Sequence, residues 1–76
     1  MCLTTRIDMT RTGKNIARLR KINDLTIKDI QDAMGFNTPQ AIYKWMRGEA
    51  IPSVDNLVVL SELFDTAIDE ILVRTS

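Results

Sequence analysis

The 76-residue sequence predicts an all-α fold: one compact domain of five short helices. Three observations carry this expectation. Apolar residues recur at helical spacing in successive segments. Residues that start helices (Thr26, Thr38-Pro39, Ser53, Thr66) alternate with residues that stop them (Gly35, Gly48, Pro52). The second and third segments are joined by only a few residues beginning with Gly35, which fits two helices linked by a tight turn.

Residues 1–10 show neither helical period nor turn signals and read as a frayed, disordered tail, with the folded domain spanning 11–76. A sharper reading makes the tail an arm that carries Arg6 toward a minor groove. From about Thr12 to Asn23 the pattern is helical, with Thr10 or Thr12 as its cap. Ile16, Leu19 and Arg20 share one face of this helix, and Arg11, Lys14, Arg18 and Lys21 form a stripe opposite. The plain reading of the stripe is a solvated face. Arg20 points inward and calls for an acidic partner.

Thr26 starts the second helix, with Asp29 three residues on in the capping-box position. Ile27, Ile30 and Met34 form its apolar face and Gly35 ends it. Thr38 caps a third helix, Pro39–Arg47, in which Pro39 takes the first position. Ile42, Trp45 and Met46 fall on its inner face. Gln40, Tyr43, Lys44 and Arg47 fall on its outer face, an amide, a phenol, an ammonium and a guanidinium suited to base edges and phosphates. Ser53 caps a fourth helix reaching about Phe64, with Val54, Leu57, Leu60, Leu63 and Phe64 as core. Val58 and Val59 make this helix apolar nearly all round, as for one buried on two sides. Thr66 caps a last short helix, with Asp69 in the box position and Ile68, Ile71 and Leu72 apolar.

Composition narrows the function classes. With no His and a single Cys, the usual zinc constellations and an internal disulfide are excluded. Without His, a reactive Cys context or a phosphate-binding glycine loop, an enzyme would have to run on scattered carboxylates. The expectation is therefore no enzyme, no cofactor, no metal and no evident small-molecule ligand. No apolar run approaches the roughly 18 residues of a membrane span, and the N-terminus lacks a signal pattern, so a cytoplasmic location is expected. The formal net charge is zero but unevenly spread. Residues 1–28 hold seven basic against two acidic residues, a net +5, and residues 49–76 one basic against six acidic, a net −5. Such a dipolar domain can orient toward phosphates.

The ordered set Ile16, Leu19, Arg20, Leu25-Thr26, Ile30, Gly35, Ile42, Trp45, Gly48, Pro52, Leu57, Leu60 and Asp69-Glu70-Ile71-Leu72 resembles the Cro/lambda-repressor-like helix-turn-helix family, also called XRE. The match spans roughly residues 12–73. It implies a lambda-repressor-like five-helix domain with the helix-turn-helix at the second and third helices. It also implies double-stranded operator DNA as partner, two-fold dimers and a repressor-like role. The sequence departs from that pattern at three places. Gln31 stands where many members have a small residue, and the stretch from Gly35 to Ile42 is one residue longer. Met46 stands where members often carry a Glu that pairs with the residue matching Arg20, which leaves Glu49 or an acid of the fourth helix as the partner of Arg20.

The resemblance and the side-chain chemistry together assign base reading to Gln40, Lys44 and Tyr43, with Gln40 first because an amide can bond adenine bidentately. Lys28, Asn37, Thr38 and Arg47 are assigned to the DNA backbone. The plain alternative for Gln40 and Tyr43 is surface exposure without contact. Glu49 weighs against tight binding because carboxylate and phosphate repel. Val73, with parts of Phe64 or Leu72, is the candidate apolar patch for dimer formation. The competing function is a protein-interaction or antitoxin-like module that keeps the fold with weak or no DNA binding.

Overall fold

The computed structural model describes residues 6–75, which form α1 (Met9–Ile22), α2 (Ile27–Met34), α3 (Gln40–Arg47), α4 (Val54–Phe64) and α5 (Ile68–Ile71). Contacts between helices run round a closed ring: α3 packs on α1, α1 on α5, α5 on α4, α4 on α2, and α2 back on α3. Each helix turns one apolar stripe to the centre of that ring. Ile16 and Leu19 come from α1, Ile30 from α2, Ile42 and Trp45 from α3, Leu57, Leu60 and Phe64 from α4, and Ile71 from α5. None of these helices is long enough to be stable alone, so the shared core holds them. No helix among the described residues is long and apolar enough to cross a membrane.

The α1 helix begins at Met9, three residues before the expected start. Its cap is Asp8, which accepts the Arg11 N–H at 2.9 Å, rather than Thr10 or Thr12. Thr12 is instead buried inside the helix, where its Oγ1 accepts the Val73 N–H at 2.9 Å. The Asp8 N–H donates to the Val73 carbonyl at 2.7 Å, and the Thr75 N–H donates to the Arg6 carbonyl at 2.9 Å. Ile7 and Arg74 thus form an isolated antiparallel bridge. Residues 6–10 are therefore ordered, which corrects the frayed-tail expectation for that part. Residues 1–5 lie outside the described residues. The pairing runs from backbone to backbone, so the side chains of the tail carry no pattern that announces it.

Four helices end in the same two-bond motif, with a left-handed residue just past the helix, one position beyond α2, α3 and α4 and two beyond α1, and two backward N–H bonds. The left-handed residues are Asp24, Gly35, Gly48 and Asp65. The longer bonds of the motif run from Leu25 to Arg20, Phe36 to Gln31, Glu49 to Lys44 and Thr66 to Ser61, at 2.9–3.1 Å. At the other end of α2 the expected capping box is present. Thr26 Oγ1 accepts the Asp29 N–H at 3.0 Å, and Asp29 Oδ2 accepts the Thr26 N–H at 2.9 Å.

Elsewhere the helix starts shift. Pro39 occupies the cap of α3, its carbonyl accepting the Tyr43 N–H at 3.2 Å, and Thr38 makes no capping bond. Ser53 caps α4 as expected, accepting the Asn56 N–H. Ala67 caps α5 without a side-chain bond, because Thr66 serves the end of α4 and donates its hydroxyl to the Phe64 carbonyl at 2.9 Å. The α4 helix is buried on one side only. Val54 is 73 % exposed and Val58 46 %, so the outer face of α4 is apolar and open, and Val54 is not core. Phe64 is 2 % exposed and cannot supply the association patch expected of it. Arg20 turns inward without an acidic partner: its Nη1 donates to the Leu25 carbonyl at 2.9 Å, and neither Glu49 nor an acid of α4 pairs with it.

Candidate nucleic-acid interface

The α3 helix is eight residues long, and its two faces separate cleanly. Ile42 and Trp45 are buried and Met46 is half-buried, whereas Gln40, Tyr43, Lys44 and Arg47 are exposed. These four stand at i, i+3, i+4 and i+7, which places them on a single helix face. Tyr43 is 41 % exposed there. The expected set on this helix is therefore brought together.

Two close approaches hold α3 from behind. Gly13 in α1 lies under its C-terminal half: a Cβ at Gly13 would stand 2.3 Å from the Trp45 carbonyl oxygen and 2.7 Å from that of Met46. A Cβ at Gly48 would stand 2.8 Å from the Thr10 Cα. Sequence reasoning missed Gly13, although a glycine inside a helical pattern is itself a signal of close backbone packing. At the other end the turn is tied to both helices. The Gln31 Nε2 donates to the Phe36 carbonyl at 3.2 Å, and the Phe36 ring meets Trp45 edge-on at 5.9 Å. The long turn and the large Gln31, both departures from the family pattern, are thus fitted to one another. Asn37 and Thr38 are exposed in this turn, at the mouth of α3.

Two of the three charged candidates, Lys28 and Arg47, are held in ion pairs. Lys28 Nζ lies 3.1 Å from Asp32 Oδ1 on α2, and both side chains are well exposed. Arg47 Nε donates to Glu49 Oε2. That hydrogen bond, with the attraction between the charges, raises the Arg47 guanidinium above its ordinary value. The same bond lowers the Glu49 carboxyl below the ordinary carboxylate range, opposed by desolvation and helped by the charges of Arg47 and Lys44. Sequence reasoning weighed Glu49 as a repulsive group near DNA but missed its pairing with Arg47. Sequence reasoning also missed the Lys28–Asp32 pair, although its i,i+4 spacing is a signal for one. Lys44 has no salt-bridge partner among the described residues.

The α1 stripe also takes shape. Arg11, Lys14, Arg18 and Lys21 are exposed. Arg18 donates twice to Asn15 Oδ1, and Asn15 Nδ2 donates to the Glu70 and Ile71 carbonyls at 2.7 and 2.9 Å. This network joins α1 to the end of α5 along an open groove of about 450 Å³.

The comparisons agree with this architecture. A helix-turn-helix family model matches residues 16–71, from the middle of α1 to the end of α5. The fold is similar to the restriction-modification controller protein C.AhdI from Aeromonas hydrophila, with a TM-score of 0.73 and 20 % identity over 84 % of this chain and 96 % of that one. It is also similar to the DNA-binding domain of BldD, with a TM-score of 0.69 and 15 % identity over 87 % of this chain and 94 % of that one. No curated protein matches the sequence. With five helices in this order, a tight α2–α3 turn and a family match over most of its length, the chain belongs to the XRE-type, Cro/lambda-repressor-like helix-turn-helix family of DNA-binding transcription regulators.

Proposed function

We propose that this domain is a sequence-specific, repressor-like regulator that inserts α3 into the major groove. The observation that carries the reading is the outer face of α3, where Gln40, Tyr43, Lys44 and Arg47 stand exposed over a buried face of Ile42 and Trp45. Gln40, in the first turn of the helix, and Tyr43 have the reach and hydrogen-bonding groups for base edges, and Lys44 stands beside them, one turn beyond Gln40. Asn37, Thr38, Lys28 and Arg47 are the backbone set, which fixes register without carrying sequence information. One domain spans half a site, so two copies of the chain would sit about 34 Å apart on successive turns of an operator.

A second reading is a protein-interaction module that retains the fold. It is favoured by the capture of both Lys28 and Arg47 in ion pairs and by the open apolar face of α4. Selection from a random duplex library at two salt concentrations, with the mass of the complex measured alongside, separates the two. The regulator reading expects a defined motif, a salt-dependent affinity and two chains per duplex. Undetectable or salt-insensitive duplex association alongside a stoichiometric protein partner decides for the second reading.

A further inference from the structure

All ten basic and all ten acidic residues of the chain lie within the described residues. Among them only two ion pairs form, Lys28–Asp32 and Arg47–Glu49. These two cations are the charged members of the backbone set proposed above. The remaining basic residues, including the whole α1 stripe, have no carboxylate within pairing distance.

Neither pair is explained by the needs of the fold. Both are exposed, and exposed pairs add little to stability. The Lys28–Asp32 pair runs against the helix dipole, with the cation in the first turn of α2 and the anion toward its end, the weaker order for an i,i+4 pair. The Arg47–Glu49 pair depends on the helix ending. Gly48 turns left-handed, with φ 78°, and the Glu49 N–H is held by the Lys44 carbonyl at 2.9 Å. That ending sets Glu49 back beside Arg47. The charges of Arg47 and Lys44 both act to hold the Glu49 carboxyl low.

We infer that Asp32 and Glu49 are internal counterions, which neutralise Lys28 and Arg47 and so cap the sequence-independent hold of the domain on the phosphate backbone. The inference rests on the DNA-binding reading. A neutral pair brought to a phosphate displaces no condensed cation from the duplex, whereas a free cation displaces nearly one. Affinity for arbitrary DNA then stays low, and base contacts from Gln40, Tyr43 and Lys44 decide where the domain rests.

The test uses the full chain and a duplex of mixed sequence, with affinity measured as salt is varied. The proteins compared are wild type, Glu49→Gln, Asp32→Asn, the double variant, and Asp69→Asn as a charge control. Asp69 is exposed and unpaired on α5, which packs on α1 and α4. The amide substitutions keep side-chain size, and matching thermal melts establish that each variant is folded. Glu49→Gln and Asp32→Asn should each steepen the slope of log affinity against log salt by about 0.9, tightening binding roughly eightfold at 0.1 M salt and converging toward 1 M. The double variant should show both increments. If the wild type binds and these slopes do not change, the inference is overturned and the DNA-binding reading stands. An equal change in Asp69→Asn assigns the effect to bulk charge and also overturns it. Failure of every protein to bind duplex at low salt overturns the DNA-binding reading, and the inference with it.

Discussion

Replacing Gly13 with Ala sets two effects against each other, and the structure says which wins. Gly13 lies inside α1, where Ala is favoured over Gly by up to about 1 kcal/mol on helix propensity alone. The new Cβ, however, would lie 2.3 Å from the Trp45 carbonyl oxygen, 2.7 Å from the Met46 oxygen and 2.9 Å from the Met46 carbonyl carbon. Ordinary contact would require α1 and the end of α3 to part by about 1 Å. These are backbone atoms, so no rotamer change relieves the clash. Overpacking of this kind costs about 1–3 kcal/mol, and an immovable neighbour places it at the upper end. The net expectation is a loss of about 2 kcal/mol, which lowers Tm by roughly 10 °C in a domain of this size. Thermal and urea denaturation followed by circular dichroism measure it. Gly35→Ala provides the contrast: nothing lies within 4 Å of its Cβ, and only the left-handed backbone, φ 73°, is penalised, by about 1–2 kcal/mol. A Gly13→Ala variant as stable as wild type, or more stable, would refute the close α1–α3 approach as the anchor of α3.

Three further outcomes are expected. Thr12→Val leaves the half-buried Val73 N–H without its acceptor and should cost about 1 kcal/mol, with faster hydrogen exchange at Asp8, Val73 and Thr75; unchanged exchange would show that the paired termini do not depend on this bond. The Glu49 carboxyl should titrate below the ordinary carboxylate range by NMR, and Arg47→Met should move its midpoint back up. Because the folded value lies below the unfolded one, the pair's contribution is complete above the ordinary range and is lost as pH falls through the lowered value; a midpoint unmoved by Arg47→Met would count against the pair in solution. Gln40→Ala should relax the selected motif at one base pair, a loss of about 1–3 kcal/mol of discrimination, and an unaltered motif would remove Gln40 from the base-reading set.

The parts of the fold legible in the sequence are those in which one residue meets a need of its own helix. Thr26 and Asp29 cap reciprocally, Ser53 caps α4, and Gly35 and Gly48 turn left-handed, each as its residue type predicts. The outer face of α3 was legible for the same reason, since helical spacing alone separates it from Ile42 and Trp45. What escaped depends on neighbours distant in sequence or on competition for a single residue. Thr66 has a sound capping side chain, but the end of α4 uses it first. Asp24 and Asp65 take the left-handed positions that glycine announces elsewhere, so those two helix ends carry no glycine signal. Val54 fits the apolar period of α4 yet faces outward at its first turn, where no other helix covers it. Arg20 finds a backbone carbonyl five residues along the chain, an acceptor that every sequence possesses and none advertises.

The aim of α3 follows from these non-local contacts more than from the turn sequence. A longer turn would by itself loosen the entry to α3, and a large Gln31 would by itself push the helix away. Together they close. The Gln31 amide reaches the Phe36 carbonyl, the Phe36 N–H returns to the Gln31 carbonyl, and the Phe36 ring lies edge-on to Trp45. The start of α3 is thereby fixed to α2. Its end is fixed to α1, where the Trp45 and Met46 carbonyls lie over Gly13 and Gly48 abuts Thr10. A helix of eight residues held at both ends has little freedom to tilt without breaking one of these contacts, so its outer side chains inherit their direction from the core. The same clamp fixes Gly48, and through the Glu49–Lys44 bond it sets where Glu49 stands beside Arg47. Orientation of the polar face and restraint of its terminal charge thus have one physical source, the close packing of α1 against the end of α3.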